Sequence, residues 1–271
     1  MPGKRILAAL VFLPLFYLLV RYLPPAAFTA LVAAATVIAL DEFYRLVLRN
    51  GQQPIRWLGT ALGLLLVVGM SWDPARVLPL TLLLGVAGLL VFRMTSSRPL
   101  HLALADVSLT LFGVFYVAWL MGHQVLLRAL PGGMWWVLFL YLVTWTGDTG
   151  AYWVGSTLGR IHPYPRLSPK KTLEGTLGGI AFSVAAALLA RWWFLPQIGL
   201  GEALGMGVFL GLASLLGDLA ESLLKRGAGV KDSSVIIPGH GGMLDRIDSL
   251  LFSAPALYYV LVYTGIAQRF H

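Results

Sequence analysis

Residues 201–224 read GEALGMGVFLGLASLLGDLAESLL. The run is apolar and as long as a bilayer-crossing helix, which needs about 20 predominantly apolar residues. Near its end, Asp218, Glu221, Ser222 and Lys225 are spaced i, i+3, i+4 and i+7, so they share one helix face. Leu215, Leu216, Leu219 and Leu223 form an oily face suited to lipid or to neighbouring helices. Gly211 and Gly217 permit close helix approach. An ionisable residue inside such a segment costs roughly 3 kcal/mol or more unless it is paired or wet. The stretch therefore predicts a membrane helix whose polar stripe points into the protein near one membrane surface.

Working outward, the same apolar character continues along the chain. Of 271 residues, 58% are hydrophobic and 12% charged, where a soluble domain carries about a quarter. The mean hydropathy is +0.79. Nine candidate spans fall at roughly 6–22, 26–48, 55–71, 76–93, 103–128, 134–155, 174–195, 201–224 and 247–267. Pro24-Pro25, Asn50-Gly51, Asp73-Pro74, Arg98-Pro99 and Pro131-Gly132-Gly133 separate them as turn signals. Span 55–71 is short enough to tilt or to be re-entrant. The first span follows Lys4 and Arg5 but reads as a retained helix, because no small-residue cleavage site follows it.

Basic residues test the count through the bias of cytoplasmic loops toward Lys and Arg. Nine spans gather 15 Lys and Arg on the side that holds the N-terminus and 5 on the other. The expectation is an all-α polytopic bundle of about nine spans in a bacterial-type inner membrane. Its N-terminus and its two long connections, 156–173 and 225–246, are then cytoplasmic, and its C-terminus is outside. The net charge of +8 follows from these loops and favours anionic lipid headgroups. A nucleic-acid partner would require a basic soluble domain, and the chain has none. The sequence contains no Cys, which excludes thiolate metal sites and Cys nucleophiles.

Charge is concentrated at one place. Residues 218–248 carry nine of the chain's 32 charged side chains. Between 225 and 246, glycines at 227, 229, 239, 241 and 242 let backbone N–H groups approach a phosphate, and Lys225, Arg226 and Lys231 supply positive charge. Asp245 and Asp248 follow at i, i+3 in the first turn of the last helix. Carboxylates beside a phosphate-binding loop suit Mg²⁺, an oxygen-seeking ion often shared with substrate phosphates. An N-terminal helix acid stabilising the dipole would account for one of these aspartates but not for both.

The pattern is a known one. Ser222-Leu-Leu-Lys225-Arg226, Lys231-Asp232, Pro238-Gly-His240-Gly241-Gly242 and Asp245-Arg246-Ile-Asp248 together resemble the signature of phosphatidate cytidylyltransferases (CDP-diacylglycerol synthases). A second region, Trp145-Thr-Gly-Asp148 to Tyr152, Gly159-Arg160 and Ser168-Pro169-Lys170-Lys171-Thr172 to Gly175, is similar to the family's other cytoplasmic motif. The resemblance is specific over about 145–175 and 212–250.

The resemblance implies transfer of a cytidylyl group from CTP to phosphatidic acid on the cytoplasmic side. It divides the chain into N-terminal transmembrane helices, 1–130, and a catalytic region, 131–271. It implies catalytic roles for Asp218, Asp245, Asp248 and Lys225. Mg²⁺ would be held by Asp218, Asp245 and Asp248, with room for a second, monovalent cation such as K⁺. Ser222, Arg226, Lys231, His240, Gly241, Gly242, Arg246, Lys170 and Lys171 become substrate-binding residues. A homodimer embedded in membrane lipid is the expected assembly.

Several positions keep two readings. Asp148 reads equally as an active-site or Mg²⁺-binding member and as a structural partner of a cytoplasmic-side Lys or Arg. His240 reads equally as a phosphate donor and as a loop hydrogen-bond donor. Asp106 and His123 read as local helix-end polar groups, and the nine Trp as interfacial belts. Other CTP-dependent lipid enzymes, such as polyprenol or phytol kinases and CDP-archaeol synthases, are the alternative enzymes. A transporter is the alternative class. Against transport, the charges cluster at one membrane face and no inverted repeat is visible.

Overall fold

Apolar stretches fold here as the backbone demands in a lipid phase, with every N–H and C=O satisfied inside a helix. The computed structural model describes residues 15–48, 52–231 and 242–270. Helix α1 covers 15–22 of these. It is followed by α2 (Pro25–Leu48), α3 (Arg56–Gly69), α4 (Pro74–Thr95), α5 (Ala103–Gly113) and α6 (Leu120–Ala129). Next come α7 (Gly133–Leu158), α8 (Leu173–Trp193), α9 (Leu200–Gly227) and α10 (Leu244–Thr264). Among the described residues there is no strand. Helices α5 and α6 are one continuous rod interrupted by a π-helical stretch, Val114–Trp119.

Within the described residues each expected apolar segment is a helix, and from the second segment on the ends lie within about three residues of those read from hydropathy. Six helical stretches are long and apolar enough to cross a membrane: α2, α4, the α5–α6 rod, α8, α9 and α10. Helix α3 is apolar but only 14 residues long. Helix α7 has the length, at 26 residues, but its Trp and Thr residues and Asp148 lower its hydropathy. The part of the first expected span before residue 15 lies outside the described residues, as do His240 and Gly241.

Helix α7 is the axis of the main bundle. Trp136, Val137, Phe139, Leu140 and Val143 are fully buried, and α7 packs against α8 most of all and also against α6, α9 and α10. A smaller cluster, Leu62, Leu66, Met70, Leu89, Val107 and Val114, packs α3, α4 and α5 at the side. Helix α4 turns Leu80, Leu82, Leu83, Leu84, Leu90 and Val91 outward, which lipid tolerates because its tails are as apolar as Leu. Five Trp (57, 72, 153, 192 and 193) are exposed toward helix ends, as interfacial belts are. Trp119, Trp135, Trp136 and Trp145 instead pack inside, so the belt reading holds for only part of the set.

Two polar positions are explained by this packing. Asp106 in the first turn of α5 is buried 3.4 Å from Arg93 and 3.5 Å from Arg98, and it accepts the Gln53 N–H at 3.2 Å. It is a helix-end group, as read, but one that pins three segments together. His123 is not at a helix end. It is buried within α6, its Nδ1 lies 2.8 Å from the Trp119 carbonyl, and its ring meets Trp119, Tyr258 and Tyr259.

Candidate active site

Close helix packing builds the site before any charged group is considered. A Cβ on Gly217 of α9 would lie 2.2 Å from the Asp248 carbonyl oxygen of α10, so these backbones touch where only glycine fits. Gly175 and Gly179 of α8 likewise face the backbone of α7 at Ala151, Gly155 and Gly147. Thr172 fixes the start of α8, its Oγ1 accepting the Gly175 N–H at 3.1 Å. Between α7, α8, α9 and the first turn of α10 lies a cavity of about 580 Å³.

Four aspartates line that cavity: Asp148 from α7, Asp218 from α9, and Asp245 and Asp248 from α10. Lys170 and Lys171, from the α7–α8 connection, line it too. Lys171 Nζ lies 2.6 Å from Asp218 Oδ2. The remainder of the wall is small: Gly147, Ala151, Gly155, Gly175, Gly179 and Gly211 leave the volume open.

A third lysine stands behind the wall. Lys225 Nζ is 2.6 Å from both Glu221 Oε2 and Asp245 Oδ1 and is only 13% exposed. Glu221 is completely buried, so this lysine is the charge partner without which that carboxylate could not remain there. Asp245 also accepts the Gly242 N–H at 2.8 Å, which holds its carboxyl from two sides.

Asp148 and Asp248 are held differently. Asp148 accepts from Ser214 Oγ at 2.8 Å, and Ser249 Oγ lies 3.0 Å from Asp148 and 3.2 Å from Asp248. One hydroxyl has one proton, so it can serve only one of the two carboxylates at a time. Among the described residues neither aspartate has a Lys or Arg within 4 Å. The cavity therefore presents four carboxylates against two lysines, an excess of negative charge that a cation would answer. Its donors are all oxygens, the set that Mg²⁺ takes. Among the described residues no three Asp, Glu or His side chains form a closed metal cage. Mg²⁺ does not require one, because it commonly uses one or two carboxylates with water and substrate phosphates.

Of the residues expected from sequence, Asp218, Asp245, Asp248, Lys170 and Lys171 meet in this cavity, and Asp148 joins them. Ser222 is buried behind Asp218, with Oγ 3.4 Å from its carboxylate. Arg226 ties connections together, donating to the Leu167 carbonyl at 3.2 Å and the Val230 carbonyl at 3.1 Å. Lys231 and Arg246 are exposed. Ser214, Ser249 and Glu42 were not singled out from sequence. The serines carry no signal beyond their helical spacing. Glu42 was visible as an acid in an apolar helix, though nothing local says what it faces.

Comparison with known proteins gives a consistent result. The sequence profile of the cytidylyltransferase family matches residues 3–264. The chain is 33% identical over 293 aligned positions to a phosphatidate cytidylyltransferase of Synechocystis sp., with 97% of each chain covered. It is 38% identical over 157 positions to a phosphatidate cytidylyltransferase of Staphylococcus aureus, covering 58% of this chain and 60% of that one. It is also 40% identical over 155 positions to the Escherichia coli protein YnbB, covering 57% of this chain and 51% of that one.

Proposed function

This chain belongs to the cytidylyltransferase family, and from that premise we infer that it converts CTP and phosphatidic acid to CDP-diacylglycerol and pyrophosphate. The observation that carries the reading is the cavity in which Asp148, Asp218, Asp245 and Asp248 face Lys170 and Lys171. A phosphate oxygen of phosphatidic acid attacks the α-phosphorus of CTP. A new P–O bond forms as the bond from that phosphorus to the α–β bridging oxygen breaks, and pyrophosphate leaves. A phosphate monoester is already nucleophilic near neutral pH, so positioning and charge neutralisation supply most of the rate.

Bound Mg²⁺ would supply that neutralisation and orient the reacting groups in line. Oxygens from among Asp218, Asp245 and Asp248 would hold it together with water and substrate phosphates, with Asp148 as a further oxygen donor. A second, monovalent cation such as K⁺ would answer the charge that remains. Lys170 and Lys171 would bind phosphate oxygens, Lys171 exchanging its Asp218 partner for substrate. Lys231, His240, Gly241, Gly242 and Arg246 would bind phosphate oxygens of the substrates. Lys225 would serve catalysis through Asp245, whose carboxylate it holds, rather than through substrate. Ser222 and Arg226 would support Asp218 and the two connections in the same way.

The described groups among these sit at one end of the bundle, the end that gathers 15 of the 20 Lys and Arg under a nine-span topology. We place that end in the cytoplasm of a bacterial inner membrane, with the N-terminus on the same side. The chain has no Cys, so single-Cys variants at Ser97 and Gln197 test this directly. A membrane-impermeant maleimide added outside should label position 197 and spare 97; the reverse would invert the topology. The enzyme is proposed to act as a homodimer, which native mass spectrometry in lipid would refute by finding a monomer.

The reaction is tested with purified protein, phosphatidic acid and CTP, with and without Mg²⁺, beside Asp245→Asn. Mg²⁺-dependent CDP-diacylglycerol that disappears in the variant supports both reaction and site. Absence of product from folded wild-type protein overturns the choice of substrate.

A further inference from the structure

Glu42 lies near the end of α2, some 200 residues from the catalytic signature, and is completely buried. Its carboxylate reaches α10. Oε1 accepts the Met243 N–H at 3.0 Å, and Oε2 accepts the Leu244 N–H at 2.8 Å. These two residues immediately precede Asp245. The first amides of a helix have no acceptor within the helix, and the dipole there favours an anion. Met243, the residue that starts α10, makes no side-chain capping hydrogen bond. Such a helix end is a ready site for a substrate phosphate. Here an internal carboxylate already occupies two of its amides.

We propose that Glu42 is a positioning residue for nucleotidyl transfer, fixing the height and rotation of the first turn of α10 so that Asp245 and Asp248 face Asp218 and Asp148. The inference rests on the reaction assigned above. Gly217 against the Asp248 carbonyl sets how closely α9 and α10 approach. Packing against α9, α6 and α7 sets the course of α10 as a whole. Its first turn is held in addition by two hydrogen bonds from one buried carboxylate to adjacent amides. The same contact joins the N-terminal helices to the catalytic turn, so a side chain that touches no substrate controls groups that do.

The test compares full-length wild type, Glu42→Gln, Glu42→Asp and Asp106→Asn in nanodiscs containing phosphatidic acid. Glu42→Gln keeps size but replaces one acceptor oxygen with a donor, while Glu42→Asp keeps the charge and draws it back by about 1.5 Å. A shift of about 1 Å near reacting groups costs about 100-fold. Both Glu42 variants should lower kcat roughly 10- to 100-fold with KM for CTP changed less than about twofold. Asp106→Asn, which breaks a buried ion cluster away from the cavity, should lose thermal stability but keep kcat per folded molecule. An unchanged kcat in a folded Glu42 variant overturns the proposal. So does a loss explained by unfolded protein, as in the Asp106 control. Hydrogen exchange at Met243 and Leu244 in the wild type is the second measurement and needs no variant to fold. Slow exchange supports the clamp and fast exchange overturns it. A wild type that makes no CDP-diacylglycerol defeats the assigned reaction instead, while the exchange result still judges the contact.

Discussion

Asp106 and Asp248 occupy similar places, each within the first five residues of an apolar helix, yet the protein treats them in opposite ways. Asp106 is sealed between Arg93, itself 3% exposed, and Arg98, and its other oxygen takes a backbone N–H. Asp248 opens onto a cavity, shares a serine hydroxyl with Asp148, and has no Lys or Arg within 4 Å among the described residues. Both carry a charge that lipid would reject. The first is neutralised by the protein. The second is left for something that enters. Charge in a membrane helix therefore marks a functional site only when its compensation is incomplete and its face is reachable.

The comparison can be broken at either aspartate. Asp248→Asn should leave the fold intact and lower CDP-diacylglycerol formation by about 10⁴-fold, roughly 5 kcal/mol of transition-state stabilisation. A loss below tenfold would remove Asp248 from the machinery. Asp106→Asn should do the converse. Removing one partner of a buried pair costs about 3 kcal/mol or more, because the arginine is left uncompensated. Thermal unfolding in detergent should register that loss while kcat per folded molecule holds. If activity falls as steeply as in Asp248→Asn, the two clusters are not separate devices.

Smaller changes sharpen the contrast. Gly217→Ala places a methyl group against the Asp248 carbonyl and must push α9 and α10 apart. Activity should fall about 100-fold, close to 2.7 kcal/mol, through geometry alone. Thr172→Ala removes the cap of α8 beside the cavity and should cost only about 1 kcal/mol of stability, with activity nearly kept.

The helices were legible because the bilayer imposes a length and a composition that hydropathy reads directly. Asp218, Asp245 and Asp248 were legible because spacing puts them on shared faces near one membrane surface. Lys225 shows where such reading stops. Its place on the polar stripe of α9 was clear, but its role as the charge partner of Glu221 and Asp245 depended on which helix stood opposite. Asp148 keeps two readings from sequence, and its neighbours Ser214 and Ser249, from α9 and α10, were not among the residues read beside it.

The sequence by itself determined the membrane bundle, the position of its helices and the family. All of these follow from local composition, spacing and signature. Only the tertiary structure decided which charges are neutralised inside the protein and which face the cavity, and that Glu42 bonds the start of α10 from about 200 residues away. The physical reason is that the free energy of a buried charge is set by its nearest partners, and those partners come from helices whose proximity no local pattern records.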